Sequence, residues 1–439
     1  MLHKILPKDS LNRPLTFCVT ALIMAFTLAG SAQSPTSSEA SSGFTTPTGC
    51  PEGTLPPGIG SCTSNGMAEP PGDTFTADQS TFEEQETLPV LGPVYNDTAC
   101  VNCHQNPVTG GTSQIAELRV GHNDSSGHFV SPTISINNDQ TSIPNRSLVN
   151  DRAVCAQAQE RVPQSETIRT FRMTINTLGD GYVEAIDSNT LAQIASNQAR
   201  QTRGQIAGEF IQVPVAEAPG QVRGGRFGWK NQHASLLSFA ADAYLNEMGV
   251  SSRLQPTDTT TLCKSTTDPE DGPDANGLAD IDHFAQFMRA TNAPPRDAAL
   301  PATPDAQAGA SLFNQIGCGI CHVTRITTAP VGTVINGGAY TVPAALGSKT
   351  IHPYSDFLLH NVGTGDGIVQ NGPADTASKM RTAPLWGLRT RGRLMHDGQS
   401  LTRNDAILRH AGEATGVINN YRSLSTTQKG QIMTFLNSL

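Results

Sequence analysis

Cys100-Val-Asn-Cys103-His104 and Cys318-Gly-Ile-Cys321-His322 repeat one arrangement of reactive side chains. Two thiols at this spacing can each add to a vinyl group as a thioether, and the imidazole that follows at once can ligate a metal ion. Together they make the attachment chemistry of a c-type haem. The sequence therefore predicts two covalently bound haem c groups, with His104 and His322 as iron ligands. Other uses of Cys-x-x-Cys fit less well. A structural zinc site joins Cys pairs roughly 15–20 residues apart, and these pairs lie more than 200 residues apart. A thioredoxin-like motif needs a βαβ context that neither segment has. Thiol–disulfide exchange would need reactive thiols that the haems have already consumed.

The N-terminus agrees with export, where such haems are attached. Lys4, Lys8 and Arg13 precede an uncharged, mostly apolar run from Leu15 to Gly30, and small residues follow to Ala32. This reads as a signal peptide over 1–32, cleaved after Ala32, rather than a membrane span, which needs about 20 apolar residues. Cys18 would leave with it. Of the other eight cysteines, four belong to the haem motifs, leaving Cys50, Cys62, Cys155 and Cys263. An even remainder outside the cytoplasm suggests disulfides, Cys50 with Cys62 across a Pro/Gly-rich loop and Cys155 with Cys263 at long range. A periplasmic or secreted protein without a membrane span is expected. The formal charge is −9, and taking away the +2 of residues 1–32 leaves −11. Without a basic stripe, nucleic-acid binding is not expected. An acidic surface can steer a basic redox partner.

The elements that must hold these motifs fall into two modules. Residues 33–85, rich in Ser, Thr, Pro and Gly, read as a poorly ordered lead-in. A break at Asn292-Ala-Pro-Pro-Arg296 through Pro304 separates an N-terminal haem domain, 86–297, from a C-terminal cytochrome c domain, 298–439. In the latter, Ala308, Leu312, Phe313 and Ile316 share a helical stripe running into Cys318. Ser425-Thr-Thr-Gln428 is a capping box opening a last helix with Ile432, Met433, Phe435 and Leu436. In the former, helices are expected over Leu236–Met248 and around Ile281, Phe284, Phe287 and Met288. Thr167–Leu178 alternates weakly, as short strands do. The fold class expected is mainly α: two cytochrome c-like haem modules, the first enlarged by irregular coil and a few short strands.

From Gly92 onward the chain resembles a bacterial family of di-haem oxidoreductases, whose members are often labelled "thiol oxidoreductase" or peroxidase. The marks are Gly92-Pro-Val-Tyr-Asn96, Arg226-Phe-Gly-Trp-Lys230, Asn246-Glu-Met-Gly249, Tyr354-Ser-Asp-Phe-Leu-Leu-His360, Arg381-Thr-Ala-Pro-Leu-Trp386 and His396-Asp-Gly398, with both haem motifs. The family is distantly related to the bacterial di-haem cytochrome c peroxidases and to the methylamine-dehydrogenase maturation enzyme. That relationship implies Trp229 between the haems as an electron relay and Glu247 over the open face of the first haem as a general acid–base. It implies a distal ligand fourteen residues after His396, which is His410, with Met395 as the competitor; Met ligation would raise the potential relative to bis-histidine. His396 is then a structural hydrogen-bonder, and His122, His128 and His233 are surface or supporting residues. The related peroxidases bind an inter-haem calcium where this chain has Arg391 and Arg393, which argues against calcium there. Asp268-Pro-Glu-Asp271 and Asp274 offer oxygen ligands elsewhere, but an acidic exposed loop is the plainer reading.

The function expected is a peroxidase-like oxidoreductase. Electrons from a soluble or membrane-bound cytochrome or cupredoxin would enter at the haem of His322 and His410. Peroxide or a similar small oxidant would be reduced at the haem of His104. The rival is a di-haem electron-transfer cytochrome without substrate chemistry of its own.

Overall fold

Both Cys-x-x-Cys-His segments sit on short helical turns backed by longer helices. The computed structural model describes residues 37–44, 61–62, 65–69 and 74–439. The predicted signal peptide and the Cys50–Cys62 pairing lie outside the described residues. The helices, in chain order, are α1 (Phe75–Glu83), α2 (Cys100–Cys103), α3 (Asp180–Glu184), α4 (Ser188–Gln201), α5 (Leu236–Met248), α6 (Asp280–Ala290), α7 (Pro304–Ile316), α8 (Arg403–Leu408), α9 (Thr415–Ser423) and α10 (Thr426–Asn437).

The expectation of a mainly α fold is corrected. Only 31% of the described residues are helical and 17% are strand, spread over many small sheets. The longest ladder pairs strand Ala116–Asn123 antiparallel with Ile168–Met173, placing Arg172 opposite Glu117 and Phe171 opposite Leu118. Most other strands are two to four residues long. Such short ladders carry no readable alternation, so the helical pattern of the C-terminal module was extended too far. A second difference lies in the expected lead-in. Ser38–Glu39 pairs with Lys349–Thr350, and α1 buries Phe75 and Phe82. Two aromatic anchors, each worth roughly 1.5–3 kcal/mol on burial, order a segment whose average composition reads as polar.

Helices α1, α5 and α6 form one apolar cluster. Phe82 packs 4.7 Å from Phe287 and 6.0 Å from Phe284, and Phe284 meets Tyr244 edge-on at 5.1 Å. Helix α5 starts where Ser235 accepts from the Ser238 N–H and ends at Gly249, at φ +72°. In the C-terminal half α7 lies against α10. A Cβ on Gly309 would fall 2.0 Å from the Gln431 carbonyl oxygen, so the close crossing depends on glycine. The Ser425–Gln428 capping box forms as read, and Ile432, Phe435 and Leu436 are buried. Cys155 and Cys263 form a disulfide across 108 residues. Among the described residues, no helix is long and apolar enough to cross a membrane.

Candidate haem sites

The first motif opens into a cavity of about 670 Å³ lined by Cys100, Cys103 and His104. Its lining is apolar in part, with Phe82, Phe284, Met248 and Met288, and charged in part, with Glu117, Arg119, Arg172 and Glu247. His104 Nδ1 donates to the Gly111 carbonyl at 3.3 Å, which leaves Nε2 to ligate a metal. Burial pushes its pKa down to about 4, so the ring is neutral, as a ligand must be. His104 is the only imidazole lining this cavity among the described residues.

Glu247 reaches the cavity from the last turn of α5. A Cβ on Gly92 would lie 1.7 Å from the Gly249 carbonyl oxygen, so the chain before the first motif touches the end of α5 backbone to backbone. That contact brings Asn96 to Glu247. The Asn96 N–H donates to the Glu247 carbonyl at 2.7 Å, and Asn96 Nδ2 donates to Glu247 Oε2 at 2.6 Å. Burial and the neighbouring Glu117 carboxylate push the Glu247 carboxyl up to about 8. Glu117 itself is held low by Arg119 and Arg172 in spite of its burial. Arg119 grips it with both arms of its fork, at 2.8 and 2.9 Å.

The second motif opens into a cavity of about 210 Å³ lined by Cys318, Cys321, His322, Met395 and His410. His322 Nδ1 donates to the Tyr354 carbonyl at 2.9 Å, and His410 Nδ1 donates to the Ala406 carbonyl at 2.8 Å. Both rings thus keep Nε2 free, and burial lowers both pKa values. Their centroids are 6.5 Å apart. An ion held by two imidazole nitrogens at about 2 Å each sets ring centroids roughly 6 Å apart, so the pair fits a metal bound from both sides. Arg391 Nη2 and Arg403 Nε are buried without partners, and both residues line this cavity. They are the donors that the carboxylates of a haem would satisfy. Both sites therefore fit haem. The four motif thiols do not fit thiol redox chemistry, because burial raises the pKa of each above its ordinary value.

Trp229, Met173 and Thr174 line both cavities. Trp229 Nε1 donates to the Met173 carbonyl at 2.8 Å, and its backbone oxygen accepts from the Arg381 N–H at 2.8 Å. Next to it, Lys230 is fully buried, 2.8 Å from Asp366, and donates to the carbonyls of Thr376 and Lys379. Asp366 also binds Arg172 Nε at 2.7 Å. A charge this deep is tolerated only when so thoroughly bonded. These partners fix the Trp229 segment in the wall.

Other sequence candidates lie apart. His122 pairs with Glu166, His128 with Asp124 and His233 with Asp242; none lines either cavity. His396, by contrast, lines the second cavity, buried with its ring 6.1 Å from Trp229. In the acidic loop, Asp258, Asp268 and Glu270 converge, but on the Lys264 ammonium, 2.7 Å from Glu270. That cation occupies the place a calcium ion would need. Sequence reasoning missed Glu117, Arg119 and Arg172. The available signal was a Glu-x-Arg pair on one face of a strand, which reads equally as an exposed ion pair. It also missed His360, buried between Asp356 and Glu413 at 2.9 Å from each.

Residues 148–439 match the family model described as "Di-haem oxidoreductase, putative peroxidase". The match takes in Trp229, Glu247, the second motif and His410; the first motif lies before it. No curated protein matches the chain. Among solved structures, the chain is similar to the hydrazine synthase of Kuenenia stuttgartiensis at 13% identity. That likeness covers 84% of this chain and 93% of that one, with a TM-score of 0.36. It is similar to a MauG-like protein associated with microbial copper homeostasis at 20% identity over 36% of this chain and 52% of that one, with a TM-score of 0.25.

Proposed function

Because the chain belongs to the di-haem oxidoreductase family, we propose that it is an exported, peroxidase-like enzyme with one haem for chemistry and one for electron entry. The observation that carries this reading is the asymmetry of the two cavities. Four imidazoles line the smaller one, and two of them, His322 and His410, have their ring centroids 6.5 Å apart. The larger one offers a single imidazole among the described residues, and its lining includes the carboxyl groups of Glu117 and Glu247. Cys100, Cys103 and His104 would hold one haem, and Cys318, Cys321, His322 and His410 the other. The haem iron would supply the redox change and a place for a small oxidant to bind.

The chain's own residues do the rest. Reducing peroxide to water takes two electrons and two protons. Glu247 holds a proton at neutral pH and presents it in the larger cavity, as a general acid must. Asn96 fixes its orientation. Trp229, in the wall common to both cavities, is the aromatic group through which electrons cross. Electrons would come from a cytochrome or cupredoxin docking near the second motif. The Cys155–Cys263 disulfide supports an oxidising, extracytoplasmic setting.

Electron paramagnetic resonance of the oxidised and half-reduced protein tests this. One low-spin haem that persists and one high-spin haem, present at once or after half-reduction, are expected. Two haems that stay low-spin in both states would give the function to the electron-transfer reading instead.

A further inference from the structure

We infer that Glu117 is a positioning residue for the acid of the larger cavity: its carboxylate accepts the Glu247 O–H, so that the two carboxyl groups share one proton and Glu247 is kept loaded and aimed. This rests on the peroxidase-like reading of that cavity and names a device within it.

Glu117 and Glu247 line the same cavity, with their carboxyl groups within bonding reach of each other. Ionised carboxylates are acceptors only, so one of the two must carry the proton. Which one is decided by their neighbours. Glu117 and Arg119 stand two residues apart on one strand and so share a face, and the register puts Arg172 directly across from Glu117. Arg119 binds Glu117 bidentately, and Arg172 Nη1 lies 3.9 Å from it. Two guanidinium groups thus hold Glu117 ionised. Glu247 accepts the neutral amide of Asn96 and feels Arg119 without being gripped by it. The proton therefore resides on Glu247, where burial and the adjacent carboxylate both favour the neutral form.

Other charged groups around the pair do not change the assignment. Asp97 and Arg152 oppose each other near Cys103. Asp242 is bound by His233, and Arg146 by Glu160. Arg172 Nη2 is buried without a partner, and Arg172 lines the cavity. An ionised Glu117 thus does two things for Glu247. It raises the pH at which the acid is lost, and it fixes the O–H direction.

The test is an infrared pH titration of the resting holoprotein, following the carbonyl band of a protonated carboxyl. Wild type should show a band that titrates away well above pH 7 and is missing in Glu247→Gln. In Glu117→Gln its midpoint should fall by about one to three units, the usual effect of removing a charge this close. Glu117→Asp, which keeps the charge, should restore most of the shift. A midpoint within about 0.3 units of wild type in Glu117→Gln overturns the inference, being far below that effect. If Glu117→Gln does not fold, Glu247→Gln still decides: with buried Asp180 giving a band of its own in every variant, a high-pH carboxyl absorbance undiminished from wild type puts the proton elsewhere. The alkaline limb of peroxide turnover should move with the infrared midpoint. A normal infrared shift in a protein inert to peroxide would sink the peroxidase reading and leave the pair standing. An active enzyme with no shift would do the reverse.

Discussion

Replacing Glu247 by Gln isolates the proton from everything else this side chain does. Gln keeps the length, the planarity and the ability to bond Asn96, but it has no proton to give. The expected loss can be worked from the site. With its carboxyl pushed up to about 8, Glu247 is roughly nine-tenths protonated at pH 7. An ordinary Glu, with a pKa near 4.3, would be about 0.2% protonated there. The cavity thus raises the loaded fraction about 450-fold, inside the 10²–10⁴-fold range typical of a positioned acid–base. Turnover of peroxide with an artificial electron donor should fall by 10²–10⁴-fold in Glu247→Gln, with both haem spectra unchanged. The sign of the pH dependence follows from the same shift. The acid form is the active one, so activity should hold below about 8 and drop as pH rises through it. In the Gln variant this limb should vanish. A wild-type profile flat through pH 8, or a variant within about threefold of wild type, would refute the assignment, since either is far from the expected loss.

The other predictions concern the metal sites and the wall between them. Converting His410 to Gly should turn the C-terminal haem from low spin to high spin by removing an axial ligand, whereas Met395→Leu should leave the spectrum nearly unchanged; the opposite pattern would move the role to Met395. Cys100→Ala combined with Cys103→Ala should lose one of two covalent haems by mass spectrometry, and a variant that keeps two would refute the attachment. Asp366→Ala should cost about 3–5 kcal/mol in urea unfolding, because it strands Lys230 and Arg172 in the interior without their shared counter-charge. Adding Lys230→Met should recover part of that loss, and a single variant within 1 kcal/mol of wild type, well short of that cost, would show the network to be dispensable.

The sequence was legible where one strong local signal acts alone. Helix α5 begins and ends where its apolar spacing, Ser235 and Gly249 say it should. The Ser425 capping box was readable for the same reason, whereas the Cys155–Cys263 bridge came only from an even count of leftover cysteines. His410 was named by the family resemblance, through its offset from His396, and its ring centroid lies 6.5 Å from that of His322. What stayed hidden depends on residues far apart in sequence. No local pattern says that Arg172 stands opposite Glu117, because a strand register is set by pairing over about fifty residues. Nor does composition reveal α1, whose order comes from burying Phe75 and Phe82 against α6. The two-residue ladders that make the fold less helical than expected have no sequence period at all.

One chain of buried charges joins the parts that the proposed reaction would need to keep in register. Glu117, beside the acid, faces Arg172; Arg172 binds Asp366; Asp366 binds Lys230; and Lys230 adjoins Trp229 in the wall common to both cavities. Such a network is a poor source of stability, since taking each ion from water costs several kcal/mol before pairing recovers it. Apolar residues of similar volume would fill the space at no such cost. What the ions add is direction. A guanidinium held by Asp366 cannot slide along the sheet, and Lys230, bonded to Asp366 and the Thr376 and Lys379 carbonyls, cannot turn. The strand that carries Glu117 is thereby tied to the loop that carries Trp229. A proton donor and an electron path serving the same small oxidant must keep a fixed separation, and buried ion pairs with defined geometry supply it where an apolar contact would allow slippage.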